Sequence, residues 1–194
     1  MKSHVCRQFL LCCGVLCLSG CLLPEREYQE THYYDLHADT VAEAMPKVGD
    51  LLVIGRFRVI GPYRTRMVRR HTTNRLSLDE FHRWVQPPEK LAAQEAQRFF
   101  ARTEMFGRVV ASPAVHGDFH LSGVIHKLEY GPDQNARMKI EFLVRSLDTD
   151  TVVFHKIYLS QKKVGGDKAD HIAAAQAANL QDILSRLAHD LEKR

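Results

Sequence analysis

Phe119-His120-Leu121-Ser122-Gly123-Val124-Ile125-His126-Lys127-Leu128-Glu129-Tyr130 runs straight into Gly131-Pro132-Asp133. Met138 to Leu147 and Val152 to Gln161 are two further β-prone runs, separated by Asp148-Thr149-Asp150. Gly, Pro and Asp each favour tight turns, by left-handed backbone freedom, a fixed φ and local side-chain hydrogen bonds respectively. Three long strands joined by such turns predict an antiparallel meander. Beyond it, Leu180, Ile183, Leu184, Leu187 and Leu191 fall on one stripe of a helix, with Asp170 as its N-cap.

Upstream of the meander the elements are shorter. Thr31-His32-Tyr33-Tyr34-Asp35-Leu36 is aromatic and reads as a first strand. After Pro46 and Gly49, Leu51-Leu52-Val53-Ile54 opens a second strand that continues through Phe57 and Val59 to Gly61-Pro62. Met67 to Arg70 and Arg75 to Leu78 predict two short strands around a Thr72-Thr73-Asn74 turn. Pro88 suits the first turn of a helix; Leu91, Ala92, Ala96, Phe99 and Phe100 share one face, and Gly107 is placed to end it. Arg108-Val109-Val110 adds a further short strand. The expected fold class is α+β: a single domain with a mostly antiparallel (mixed) β-sheet and two main helices packed on one face.

The N-terminus has a different grammar. Lys2 and Arg7 precede the ten uncharged residues Phe9 to Leu18, and Leu18-Ser19-Gly20-Cys21 closes the segment. A basic region, an apolar run and a small-residue site are the parts of a secretory signal. The apolar run is well short of the roughly 18 residues that span a bilayer. Leu-Ser-Gly-Cys resembles the bacterial lipobox, which implies cleavage before Cys21 and a lipid on its sulfur. The resemblance implies three acyl chains, and stable anchoring takes more than one. Leu22 stands where an aspartate is the usual inner-membrane retention signal, which points to the outer membrane and its periplasmic face. The expected organisation is a signal peptide over 1–20, a lipidated N-terminus and short tether over 21–30, and an α+β domain over 31–194. Leu22 to Glu30 spans about 30 Å when fully extended, at roughly 3.3–3.6 Å per residue.

Lys2 and Arg7 leave with the signal, so the 27 basic residues become 25 against 23 acidic ones. The distribution matters more than the total. Leu51 to Leu78 contains no acidic residue, yet holds Arg56, Arg58, Arg64, Arg66, Arg69, Arg70 and Arg75. Such a block is either a solvated face with counter-charges supplied by the fold, or a surface for anionic headgroups or an acidic protein. Nucleic acid is a poor match for the compartment. Trp84, the single tryptophan, follows in Phe81-His82-Arg83-Trp84-Val85-Gln86-Pro87. It is either a core residue at the helix entrance or an aromatic anchor for a partner.

Chemistry-bearing sets are sparse. All five cysteines lie at or before position 21, so the exported domain has no disulfide, thiolate metal site or cysteine nucleophile. His116, His120 and His126 share a parity, with His155 on a nearby strand. Residues 116 and 120 are about 13 Å apart on an extended strand, too far to share one ion. No serine sits in an elbow motif. Gly165-Gly166 lacks the spacing and the following Lys-Ser/Thr of a phosphate loop. No catalytic residue, metal or cofactor is assigned.

The order of these features resembles the ABC-type transport auxiliary lipoproteins, the PqiC-like family. It rests on the lipobox Cys21, Tyr33-Tyr34-Asp35-Leu36, Leu51-Leu52-Val53-Ile54 leading to Gly61-Pro62-Tyr63, the Arg-rich strand at Met67 to Arg70, and Phe81-His82-Arg83-Trp84 before a helix. Gly117-Asp118-Phe119, the meander and Leu184-Ser185-Arg186-Leu187-Ala188 complete it. The chain departs from the pattern at Trp84-Val85-Gln86-Pro87-Pro88, where Trp-Ala-Glu-Pro-Leu is usual, and at Ile60-Gly61-Pro62, where an aliphatic residue and Pro are usual. The resemblance implies a non-enzymatic component of a lipid-transport system, anchored under the outer membrane and docking an MCE-domain protein, with phospholipid as cargo. Arg64, Arg66, Arg69, Arg70 and Trp84 are the expected partner-binding residues. Two other classes share the architecture: a lipoprotein regulator of peptidoglycan synthesis or outer-membrane assembly, and a lipid carrier with an apolar cavity between sheet and helices.

Overall fold

In a computed structural model, described over residues 28–37, 43–111 and 117–193, the meander is the widest part of the sheet. Strands β6 (Phe119–Tyr130), β7 (Asn135–Ser146) and β8 (Thr151–Lys163) pair antiparallel along nearly their whole lengths. Their turns fall at the predicted residues; Gln134, one position past the first predicted turn, and Asp150 lie in the left-handed region at φ 58° and 51°. Strict alternation in β7 buries Ala136, Met138, Ile140, Phe142 and Val144 and leaves Arg137, Lys139, Glu141, Leu143 and Arg145 on the other face. That single-sided pattern is why helices cover one face only.

Strand β2 (Gly49–Val59) joins the opposite side of β6 in parallel, and β5 (Phe106–Val110) joins β2 in parallel. Strands β3 (Arg66–Arg70) and β4 (Leu76–Trp84) form an antiparallel hairpin, with β1 (His32–Tyr34) parallel to β4. This smaller group meets β6 through one backbone pair, Arg69 with Tyr130. The result is an eight-stranded mixed sheet in an α+β domain, with the longest ladders antiparallel.

Helix α1 (Pro88–Arg102) packs on β2 and β5, and α2 (Ala169–Glu192) on β7 and β8. Phe100, Leu121, Ile140, Leu180 and Ile183 are fully buried between the layers. Each such side chain contributes about 1.5–3 kcal/mol on burial.

Several strands start or end one to three residues from the sequence expectation, and three differences have a physical reason in the fold. Helix α1 stops at Arg102, because Glu104 turns left-handed at φ 58°, while Gly107 lies inside β5. A Cβ on Gly107 would sit 3.1 Å from the Asp50 carbonyl, so its role is close strand approach. Strand β4 runs on to Trp84, since His82 to Trp84 gain a partner in β1, a pairing invisible to local pattern. Helix α2 begins two residues earlier than expected, with Lys168 at the N-cap and Asp170 in its first turn.

Candidate docking surface

The Arg-rich block divides at β3. Arg70 turns inward and forms a forked pair with Glu129, Nε to Oε1 at 2.7 Å and Nη2 to Oε2 at 2.8 Å. Tyr63 donates its hydroxyl to the same carboxylate at 2.8 Å, and Glu129 is 1% exposed. Burial pushes the Tyr63 phenol up to about 12, reinforced by the adjacent carboxylate. Burial alone would raise Glu129, but hydrogen bonds from Arg70 and Tyr63 outweigh it and hold the carboxyl below its ordinary value. Arg69 lies 5.0 Å over the Tyr130 ring and pairs with Asp167 at 3.5 Å. Both arginines therefore clasp the β3 hairpin to the meander.

Arg56, Arg58, Arg64 and Arg66 behave differently. All four are exposed, and none has an ion-pair partner among the described residues. Arg56, Arg58 and Arg64 line a cleft of about 520 Å³ together with Gly61, Glu89 and Lys90. Gly61 takes φ 96°, a left-handed conformation that turns the chain between β2 and Arg64 and that a side chain would strain. Ile60 and Val85 stand nearby in sequence as exposed aliphatic tips, 56% and 52% accessible.

Of the expected partner-binding residues, Arg64 and Arg66 are thus open, whereas Arg69 and Arg70 are engaged internally. Trp84 is 3% exposed and belongs to the core. Cys21, the signal and nearly all of the tether lie outside the described residues, as does His116. Arg56, Arg58 and Lys90 were not among the expected site residues. The alternation of Arg56 and Arg58 late in a strand was a usable signal; Lys90 arrives from α1 and had none.

The remaining histidines serve a different arrangement. His126 and His155 each bond one oxygen of Glu141, at 2.7 and 2.6 Å, across three neighbouring strands. His120 keeps the expected parity with His126, on the helix-free face, but covers Gly55 on β2. Among the described residues no group of three or more His, Cys, Asp or Glu side chains is arranged to hold a metal. A hollow of about 580 Å³ lined by Phe106, Phe119, Val144, Phe154 and Leu191 is the most apolar one described.

These features define an α+β domain whose concentrated chemistry, among the described residues, is surface charge. The sequence matches the family model for the ABC-type transport auxiliary lipoprotein component over residues 36–188, and the chain belongs to that family. It is therefore a lipoprotein-family component of a bacterial transport system, working in the cell envelope with the other parts of that system. Its structure is similar to that of XCC0632 from Xanthomonas campestris, a DUF330 protein, at 17% identity and a TM-score of 0.71, covering 81% of this chain and 92% of that one. An uncharacterized protein gives 14% identity and a TM-score of 0.69, over 83% and 98% of the two chains. The PelC dodecamer protein from Paraburkholderia phytofirmans, at 15% identity over 76% and 93%, reaches a TM-score of only 0.48, too low to argue from. No curated protein matches the sequence.

Proposed function

We propose that this chain is the lipid-anchored, non-catalytic docking component of an MCE-type intermembrane phospholipid transport system. Cys21 carries the anchor, and the domain works on the periplasmic face of the outer membrane within the reach of its short tether. The observation that carries the docking role is the open set Arg58, Arg64 and Arg66, unpaired among the described residues, on a domain of this family. Such a surface favours an acidic partner and speeds its capture at low ionic strength. Trp84 is buried in the core, and Val85 is the exposed residue beside it in sequence.

Photo-crosslinking in cells from positions 66 and 85 tests this reading. Capture of an MCE-domain protein is the expected result. Capture of a penicillin-binding protein in its place would move the chain to the regulators of peptidoglycan synthesis, and capture of neither would remove the docking role. Cys21→Ala is expected to release the chain from the membrane fraction.

A further inference from the structure

Strand β5 covers only the first half of β2, from Gly49 opposite Phe106 to Val53 opposite Val110. Beyond Val53, β2 keeps β6 on one side, with Phe57, Arg58 and Val59 opposite Gly123, Val124 and Ile125. On its other side no described strand is paired, so among the described residues Gly55–Val59 is a sheet edge. Such an edge presents a row of unused N–H and C=O groups.

The cationic cleft follows this edge. Arg58 is in register with Val124, and Val124 stands on the helix-free face, because its neighbours Gly123 and Ile125 are buried toward the helices. Lys90 belongs to α1, on the opposite face, yet both line the same cleft. A cleft touched from both faces runs along the rim of the sheet. Arg56, Arg58, Arg64 and Lys90 are exposed with no ion-pair partner among the described residues, and Glu89 is the one acid in the lining.

We infer that the Gly55–Val59 edge takes an extended acidic segment of a partner protein as an added strand, with Arg56, Arg58, Arg64 and Lys90 meeting its carboxylates. This deepens the docking reading above and rests on it. Residues two apart on a strand are roughly 7 Å apart, the spacing of alternate carboxylates on a second strand. A single phosphate is gripped instead by donors that converge, and these are strung along a rim. Charged side chains and the bulge between Ile54 and Phe57 are also devices that protect bare edges, and edge protection makes the opposite prediction.

The test uses the purified full chain and fluorescein-labelled heptapeptides. One alternates Thr and Glu, a second alternates Thr and Lys, and a third is the Thr/Glu peptide N-methylated at alternate backbone nitrogens. The Thr/Glu peptide is expected to bind, with affinity falling as salt rises, and the other two at least tenfold more weakly. R56E/R58E loses at least tenfold with an unchanged thermal midpoint, while R56K/R58K retains binding. Equal binding of the N-methylated peptide would overturn strand addition, because charge alone would then suffice. Absence of binding would overturn it too, as edge protection predicts. So would phosphatidylglycerol vesicles that bind the wild type, not R56E/R58E, while the peptide fails. If the peptide fails but crosslinking from position 66 still captures an MCE-domain protein, only this inference falls. Failure of both removes the docking reading as well.

Discussion

Arg58 and Arg70 belong to one acid-free run of sequence and do opposite things. Arg70 lies on β3 beside β6, where Glu129 is buried and needs a cation. Arg58 lies on the half of β2 that β5 does not reach, where nothing described answers its charge. The residue type is the same; the neighbour brought by the fold decides the role. A charge block in a sequence is thus a mixture of fastening and presenting residues, and pairing sorts them.

The sharpest way to break this division is to attack what lies beneath it. Trp84→Ala removes a buried ring at the junction of β4 and α1, and is expected to lower stability by about 3–5 kcal/mol. Denaturant unfolding reads this directly, and a loss below 1 kcal/mol would return Trp84 to the surface. Arg70→Met strands a buried carboxylate and is expected to lose about 3 kcal/mol, the low end for a buried pair because the arginine is 22% exposed.

Acid titration sharpens the same contrast. Glu129 is held below its ordinary value of 4.5, so its contribution is present above that pH and is lost as pH falls through the depressed folded value. In Arg70→Met, burial faces only the Tyr63 hydrogen bond and the weaker pull of Lys127, and the carboxyl takes up its proton at higher pH. The stability gap between wild type and variant is therefore expected to narrow as pH drops below about 4.5. A gap that widens would mean that the clasp does not depress Glu129.

The smallest effect on stability is expected where the effect on partners is largest. Charge reversal of Arg58, Arg64 and Arg66 to Glu should leave unfolding within about 0.5 kcal/mol of wild type, as for surface sites without partners. Capture of the crosslinked partner should fall at least tenfold. An unfolding loss of the size expected for Arg70→Met would erase the distinction between the two groups.

Local pattern carried the meander and both helices, because alternation and the Leu180–Leu191 stripe record burial on one face. The β4 extension to Trp84 escaped it, since its partner lies some fifty residues upstream in β1. The open half of β2 escaped it for a similar reason: an edge is defined by where β5 ends, and nothing in Gly55–Val59 marks that. For the candidate site, the Arg-rich block was legible as charge, but which arginines are free depended on Glu129 and Asp167, both distant in sequence.

The narrow join between the β1–β4–β3 group and the meander gives the domain a load path. Any tension on the chain ahead of Thr31 enters through β1, three residues held alongside His82, Arg83 and Trp84. It then crosses β4 and β3, and reaches the large sheet at Arg69 and Tyr130, where the Arg70–Glu129–Tyr63 clasp takes it up. Arg69 and Arg70, which present nothing outward, are the rivets between whatever pulls on the N-terminus and the large sheet.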